Sequence, residues 1–245
     1  MEELHLFSAG SMNDHSHQHL WLKGASLFIP QINKLLEHTN YNFKITDMQN
    51  FQNDNSTILG NILEKNKSDK STSHDYHILY SFIFNKIGQN INILEIGLGT
   101  NNPHIVSSMG DSGRPGASLY AFSEYLPNAN IYGADIDKDI LFQNDRIKTC
   151  FVDQLEIKTF ENFSNSFGKI KYDLIIDDGL HSIGANFNTL LFALENINEN
   201  GWIVIEDIHI IDNWKSIDFI LRSTTNFKIY IIKAKNAHLY AINKL

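Results

Sequence analysis

Two acidic clusters contain the residues best suited to chemistry. Residues 177–181 read Asp-Asp-Gly-Leu-His after one apolar run, and residues 206–209 read Glu-Asp-Ile-His after the next. If the two runs are neighbouring parallel strands, four carboxylates and the imidazole of His181 meet at one edge of a sheet. Like charges held that close repel one another and raise each other's pKa. A divalent cation relieves this repulsion, and an all-oxygen ligand set favours Mg²⁺, Ca²⁺ or Mn²⁺ over zinc.

A glycine-containing turn follows an earlier apolar run. Glu95 lies just inside the end of this run, where a carboxylate can help to hold a cationic amino acid group. Gly97 and Gly99 come next, and because they lack a Cβ the backbone can turn sharply and approach a ligand closely. Asn101 stands where a third glycine would be expected, and asparagine can also adopt positive φ. The segment is therefore a candidate ligand-binding turn.

Two more acids end the next predicted strands. Asp135 occupies a position where an acid can accept both hydroxyl groups of a ribose. Asp153 occupies the position where this kind of sheet usually contacts an adenine amino group. A strand-end acid can also simply cap the following helix. Three acids at successive strand ends favour a ligand, and they predict an adenosyl group.

The elements that position these residues alternate between strand and helix, which predicts a mostly parallel sheet with helices on both faces. The last two strands are joined by the tight turn 234–236 and must pair antiparallel, because a parallel connection needs a dozen or more residues. The fold class is therefore α/β: a doubly wound, Rossmann-like, seven-stranded sheet ending in an antiparallel hairpin, as in class I methyltransferases. The predicted strands are 91–96, 131–136, 147–152, 172–176, 202–205, 227–232 and 238–242.

Two features argue against a nucleotide-dependent oxidoreductase. The crossover 101–116 is long and polar and lacks the glycine-rich helix start that cradles a pyrophosphate. The predicted C-terminal hairpin also differs from the all-parallel sheets of nicotinamide-binding proteins.

The chain divides into two predicted regions. Residues 67–245 form the sheet domain, and residues 1–66 form an irregular N-terminal auxiliary region with short helical patterns at 32–36 and 58–63. This region is expected to serve oligomerisation or to cover the acceptor site. The run of His15, His17 and His19 is interpreted as a mobile or interfacial segment.

Composition excludes several classes of protein. The formal net charge is −8 and no basic stripe is present, so nucleic acid is not an expected partner. Cys150 is the single cysteine, which rules out an intramolecular disulfide or a cysteine-based zinc site. No signal peptide is evident, and no apolar run approaches the ~20 residues of a membrane-spanning helix. These observations predict a soluble, cytoplasmic protein without a membrane partner.

Several segments together resemble a known family. The pattern Asp-Asp-Gly-x-His, an amphipathic helix, and Gly-x-x-Val-Ile-Glu-Asp is similar to the Mg²⁺-dependent sugar O-methyltransferases of macrolide biosynthesis, including the mycinamicin and macrocin enzymes, and to cephalosporin hydroxylase-like proteins. Residues 68–76, 116–119 and 131–137 add further matches. The resemblance runs from about residue 68 to residue 208. Relatives that methylate sugars also occur in gene clusters for bacterial surface polysaccharides.

The resemblance implies a role for each candidate residue. Asp178, Glu206 and Asp207 would hold Mg²⁺ or Mn²⁺, His181 would be the general base, and Asp178 would also belong to the catalytic centre. Asp177 would lie nearer the cofactor, and residues 71–76 would line the cofactor or acceptor pocket. The predicted contacts to S-adenosyl-L-methionine are Tyr76, Glu95, Gly97, Gly99, Asn101, Ser118, Asp135, Ile136, Asp153, Gln154 and Asp177.

The expected reaction is transfer of a methyl group to a sugar hydroxyl. A cation that chelates vicinal hydroxyls makes them more acidic and fixes them in place, and a nearby base then removes the proton. The acceptor is predicted to be a small sugar, nucleotide-activated or otherwise a glycan precursor, and the enzyme a homo-oligomer. Three alternatives remain open: another small phosphorylated or phenolic acceptor, a module that binds the cofactor without catalysis, and the nucleotide-dependent oxidoreductase that the two features above disfavour.

Overall fold

A computed structural model of the protein describes residues 28–39, 41–111 and 113–245. The His15, His17 and His19 run lies outside the described residues. Residues 28–36 are helical. No helix among the described residues is long and apolar enough to cross a membrane.

Within the described residues, eight strands form a single sheet. In chain order they are β1 (Ile45–Asp47), β2 (Asn92–Ile96), β3 (Asn130–Asp135), β4 (Ile147–Phe151), β5 (Tyr172–Asp177), β6 (Ile197–Ile208), β7 (Lys228–Lys233) and β8 (His238–Asn243). The order across the sheet is β1-β7-β8-β6-β5-β2-β3-β4. All pairs are parallel except β6 with β8 and β7 with β8. The predicted α/β class and C-terminal hairpin are confirmed.

The predicted count of seven strands is wrong by one. The additional strand β1 pairs in parallel with β7 at the edge of the sheet. It contains three residues, and none of them is fully buried, so it carries no apolar run of the kind that marks the other strands. The sheet therefore includes part of the segment predicted to be auxiliary. The assignment of residues 1–66 to oligomerisation or to covering the acceptor site stays a prediction.

Besides the helical residues 28–36, seven helices flank the sheet in the part of the chain that the structure describes. They are α1 (Ser56–Lys65), α2 (Asp69–Thr72), α3 (His77–Ile87), α4 (Ala117–Tyr125), α5 (Ile157–Phe167), α6 (Ile183–Asn196) and α7 (Lys215–Thr224). Short 3₁₀ turns at Met48–Phe51, Lys138–Ile140 and Ile211–Trp214 complete the described elements.

The two faces of the sheet carry separate cores because successive side chains of a strand point to opposite sides. On β2, Ile93 packs with α1, α3 and α4, whereas Leu94 and Ile96 pack with α5, α6 and α7. All three side chains are almost completely buried. Both faces are therefore covered, which explains why these strands read as continuous apolar runs rather than as alternating ones.

Candidate functional site

A cavity of about 470 Å³ opens where the parallel strands end. Ligands of doubly wound sheets bind at this edge, next to the point where strand order reverses. Here β2 lies between β3 and β5, so the reversal falls at the end of β2. The predicted residues that line the cavity are Gly97, Gly99, Ser118, Asp135, Ile136, Asp153, Gln154, Asp178, His181 and Asp207. Glu95, Asn101, Tyr76, Asp177 and Glu206 lie outside this lining.

Gly97 forms the floor of the cavity beside the end of β5. Its φ is +92°, and a Cβ at this position would collide with the backbone carbonyl of Asp178. The turn after β2 and the loop after β5 therefore touch through their backbones. Only glycine combines this conformation with this close approach. Asn101, by contrast, donates from its side chain to the carbonyls of Gly110 and Gly113 and so braces the loop that follows the turn.

Asp135 ends β3 with its carboxylate at the cavity wall. One oxygen accepts the amide of Leu98 at 2.7 Å and the other accepts the amide of Asp137 at 2.8 Å. Burial raises the pKa of Asp135, and the backbone amides oppose that effect. Each carboxylate oxygen keeps further acceptor capacity, so the geometry suits the two hydroxyl groups of a ribose.

Gln154 and Asp177 form a buried brace between the ends of β4 and β5. The Gln154 amide donates to Asp177 and to Thr189, both at 2.8 Å, and its carbonyl accepts the amide of Leu180 at 2.8 Å. Asp177 is fully buried and also accepts from Asn186. Burial raises the pKa of Asp177 despite these hydrogen bonds. Asp153 remains partly exposed at the cavity wall, with one oxygen accepting the amide of Leu155.

Glu95 is buried behind the glycine turn. Its carboxylate accepts from Ser118 at 2.6 Å and lies 3.2 Å from Lys70 Nζ. Burial raises the pKa of Glu95 and the Lys70 ammonium acts in the opposite direction. Within this structure Glu95 therefore holds protein groups at the cavity wall rather than reaching into the cavity itself.

Lys70 is a site residue that the sequence reasoning did not identify. Its ammonium lies 2.5 Å from Asp178 Oδ2 and 2.5 Å from Glu206 Oε2, in addition to its contact with Glu95. Burial alone would lower the pKa of Lys70, but the three carboxylates hold that pKa well above its usual value. Its partners are distant in sequence, so local spacing gives no signal of the contact. The one available signal was that Lys70 lies in the family-like segment 68–76.

Asp178, His181 and Asp207 converge at the cavity. Each offers one atom to a common space, and these atoms lie within 4.8 Å of one another. His181 Nε2 is 3.9 Å from Asp178 Oδ1 and 3.7 Å from Asp207 Oδ2. His181 and Asp207 have φ values of +53° and +54°. Non-glycine residues rarely adopt this conformation, and where they do the strain often marks a functional site.

Two tyrosines reach the acids on β6. Tyr76 donates to Asp207 at 2.5 Å, and Tyr80 donates to Glu206. Both rings are buried, and their hydroxyl groups contact the site. Glu206 is thus bonded to Tyr80 and Lys70 beneath the cavity, and burial raises the pKa of Glu206 well above its usual value.

Asp207 has a different electrostatic environment. Burial raises its pKa, but the hydrogen bond from Tyr76 and the nearby His181 and His74 outweigh burial, and the net pKa lies below the ordinary value. His74 Nδ1 is buried 3.6 Å from Asp207 Oδ1 and has no hydrogen-bond partner among the described residues. Asp207 is therefore kept in its ionised form, which is the form that ligates cations.

The donor set fits a divalent cation. Asp178 and Asp207 present carboxylate oxygens to one space beside an imidazole, and Glu206 adjoins Asp207. Three carboxylates, those of Glu95, Asp178 and Glu206, contact the ammonium of Lys70, and Asp207 adds a fourth acid next to Glu206. A bound dication would therefore bring the local charge closer to neutrality. Carboxylate oxygens suit Mg²⁺ or Mn²⁺.

Comparisons with known proteins find methyltransferases among the relatives of this chain. No family model matches the chain. Two curated relatives come from Streptomyces olivaceus. The 8-demethyl-8-alpha-L-rhamnosyl tetracenomycin-C 2'-O-methyltransferase is 28% identical over 152 residues, covering 61% of this chain and 37% of the relative. The 8-demethyl-8-(2-methoxy-alpha-L-rhamnosyl)-tetracenomycin-C 3'-O-methyltransferase is 31% identical over 156 residues, covering 61% and 36%.

A solved structure shares the fold. The MycE methyltransferase of the mycinamycin biosynthetic pathway, in complex with Mg and SAH, matches with a TM-score of 0.60 and 20% identity, covering 76% of this chain and 54% of that chain. The segments matched in the curated relatives span little more than a third of their length. The chain thus has the class I methyltransferase fold, and its curated relatives are sugar O-methyltransferases of natural-product pathways.

Proposed function

We propose that this chain is an S-adenosyl-L-methionine-dependent O-methyltransferase that uses a divalent metal and methylates a hydroxyl group of a sugar. The observation that carries the proposal is a single cavity that combines a glycine turn and Asp135 at one end with Asp178, His181 and Asp207 at the other. The relatedness to O-methyltransferases of rhamnosyl compounds supports the same reaction.

The cofactor end of the cavity is built from strand ends β2, β3 and β4. Asp135 is proposed to accept the ribose hydroxyls, and Asp153 to contact the adenine. Gly97 and Gly99 allow close backbone approach, and Ser118 and Ile136 complete the wall. Gln154, Asp177, Glu95, Asn101 and Tyr76 contribute by holding cavity residues in place, as their hydrogen bonds indicate. When bound, S-adenosyl-L-methionine supplies an electrophilic methyl group on sulfur.

The metal end is proposed to use Asp178, Glu206 and Asp207. Asp178 and Asp207 face the cavity directly, whereas Glu206 lies beneath it with Lys70 and Tyr80. When bound, Mg²⁺ or Mn²⁺ would acidify and orient hydroxyl groups of the acceptor, the template and Lewis-acid roles of such ions.

His181 is proposed to remove the hydroxyl proton. Its side chain is 30% exposed at the cavity and stands between two carboxylates. Those carboxylates restrict the orientation of the ring and stabilise the imidazolium that forms once the proton has moved. A base within hydrogen-bond reach of the reacting group typically contributes 10²–10⁴-fold. The proton would pass to Nε2, the nitrogen nearest both acids.

The acceptor is proposed to be a sugar that is nucleotide-activated or otherwise part of a glycan precursor, with a role in surface polysaccharide synthesis by a homo-oligomeric enzyme. The acceptor class distinguishes this proposal from methylation of another phosphorylated or phenolic molecule. Turnover distinguishes it from a module that binds the cofactor without catalysis, because such a module would produce no S-adenosylhomocysteine with any acceptor.

The test is a screen of the full chain with S-adenosyl-L-methionine, Mg²⁺ and a panel of nucleotide sugars, glycosides, sugar phosphates and phenols. Release of S-adenosylhomocysteine is measured by mass spectrometry. We expect turnover with at least one sugar, loss of turnover with excess EDTA, and recovery with Mg²⁺ or Mn²⁺. Asp178→Asn should be inactive, whereas Asp212→Asn, at an exposed acid with a 70% exposed side chain, should not change the rate. Turnover that survives both EDTA and Asp178→Asn would contradict the metal assignment.

A further inference from the structure

Lys70 joins three strand ends that surround the site. It lies on the short helix α2, which Ser68 caps by accepting the amide of Lys70 at 3.4 Å. Its side chain is 2% exposed, and its ammonium contacts Glu95 on β2, Asp178 after β5 and Glu206 on β6. In the described ranges, no other lysine or arginine forms an ion pair with these acids. A long, cationic side chain is buried here only because all its charge is matched locally.

The contacts fix which carboxylate oxygens remain available. Asp178 uses Oδ2 for Lys70, and its Oδ1 is the oxygen nearest His181 Nε2. Glu206 accepts a hydrogen bond from Lys70 at Oε2 and one from Tyr80 at Oε1, so the orientation of its carboxylate is fixed from both sides. Without the ammonium, Glu206 would keep only the hydrogen bond from Tyr80, and Asp178 would keep no side-chain hydrogen bond among the described residues.

We propose that Lys70 is a positioning residue that sets the orientation of Asp178 and Glu206 for metal binding. This inference rests on the metal-assisted function proposed above. Groups that hold ligating side chains commonly influence metal affinity by 10–100-fold when they are removed. Lys70 reaches the site from outside the sheet and so connects the segment 68–76 to the strand ends that carry the ligands.

The sign of the effect separates positioning from simple charge balance. An ammonium repels a dication, so removing it should tighten metal binding if Lys70 acts through charge alone. If Lys70 acts by holding Asp178 and Glu206, removal should weaken metal binding. The two roles therefore predict opposite shifts in the same measurement.

The experiment measures Mn²⁺ binding to the full chain without turnover, from the electron paramagnetic resonance signal of free Mn²⁺. Lys70→Met keeps the length of the side chain and removes its charge, and we expect it to weaken Mn²⁺ binding about tenfold or more. Lys70→Arg keeps a cationic donor and should recover part of the affinity. Lys65→Met is the matched control, because Lys65 is 68% exposed and pairs with Glu124 on the surface; its affinity should equal that of the wild type.

Folding is checked by circular dichroism, and Lys70→Gln replaces Lys70→Met if that variant does not fold. Equal or tighter Mn²⁺ binding by the neutral variant, with normal binding by the wild type, overturns the inference while leaving the proposed function intact. A wild-type chain that binds no Mn²⁺ overturns the metal part of the proposed function, and this inference with it.

Discussion

At the residue scale, the site depends on a few polar side chains whose neighbours determine what they can do. Asp207 and Glu206 are adjacent in sequence, yet the pKa of Asp207 lies below its ordinary value and that of Glu206 lies above it. The difference arises because Asp207 receives a tyrosine hydrogen bond beside two imidazoles, whereas Glu206 is buried among other acids. The environment of Asp207 favours the charged carboxylate that a cation needs, whereas at Glu206 the ammonium of Lys70 favours the charged form against burial.

Replacing His181 tests the proposed proton transfer. His181→Asn is the suitable change, because asparagine tolerates the positive φ found at this position. We expect kcat to fall by about 10²–10⁴-fold, the usual contribution of a general base. Binding of S-adenosylhomocysteine, measured by calorimetry, should change little, and His38→Asn at an exposed position should leave kcat unchanged. A fall in Mn²⁺ affinity with unchanged kcat at saturating metal would instead assign His181 as a ligand.

Removing the Tyr76 hydroxyl tests the electrostatics of Asp207. The hydrogen bond from Tyr76 lowers the pKa of Asp207, so Tyr76→Phe should raise that pKa. Metal binding needs the ionised carboxylate, and the variant should therefore lose Mn²⁺ at a higher pH than the wild type. The comparison is Mn²⁺ affinity between about pH 7 and pH 4, above and near the ordinary pKa of aspartate. Tyr125→Phe, on α4, is the control; coincident curves for all three proteins would contradict the assignment.

At the element scale, the order of strands explains why distant residues meet. β5 and β6 are parallel neighbours, so Asp178, directly after β5, and Asp207, near the end of β6, lie at the same edge of the sheet. β2 pairs with β5 on its other side, which brings the glycine turn beside the loop that carries Asp178. The proposed cofactor and metal ends of the cavity are adjacent for this reason.

Gly97 tests this adjacency. In Gly97→Ala the new Cβ would collide with the backbone of Asp178, which cannot move without shifting the end of β5. We expect affinity for S-adenosylhomocysteine to fall, and turnover to fall by about 100-fold, since a displacement near 1 Å at an active site can reduce the rate by that factor. Gly88→Ala is the matched control: its φ is also positive, at +85°, but its Cβ would meet nothing within 4 Å. That variant should lose about 1–3 kcal/mol of stability, because φ +85° with ψ −160° is a region that essentially only glycine adopts, and it should keep its affinity.

The sequence predicted most elements but not every contact. Buried strands such as β2 and β5 were visible because both faces are covered and most of their residues are apolar. β1 was not predicted because three partly exposed residues are too few to show a hydrophobic periodicity. Only their pairing with β7 identifies them as a strand. The convergence of the strand-end acids could be predicted, because it depends only on the order and direction of the strands. The roles of Lys70 and Tyr80 did not follow, because their respective partners Asp178 and Glu206 lie more than 100 residues away in the sequence.

At the scale of the whole molecule, cofactor and metal are expected to bind to one rigid sheet edge but through separate residues. Ligands that bind only the folded state raise its stability by about 2.7 kcal/mol at a concentration of 100 times Kd. In a chain of this size, that corresponds to a rise in Tm of roughly 5–10 °C. S-adenosylhomocysteine and Mn²⁺ should therefore each raise the Tm of the wild type, as measured by differential scanning fluorimetry.

Two substitutions should separate these effects. Asp135→Asn should abolish the rise in Tm caused by S-adenosylhomocysteine and retain the rise caused by Mn²⁺, because Asp135 lies at the cofactor end, on β3. Asp178→Asn should show the reverse, since Asp178 belongs to the cluster with His181 and Asp207. Asp139→Asn, near β3 but outside the cavity lining, should keep both rises. If Asp135→Asn and Asp178→Asn each lost both rises, the two ends of the cavity would not be separate binding sites, and the division of the sheet edge into a cofactor half and a metal half would be wrong.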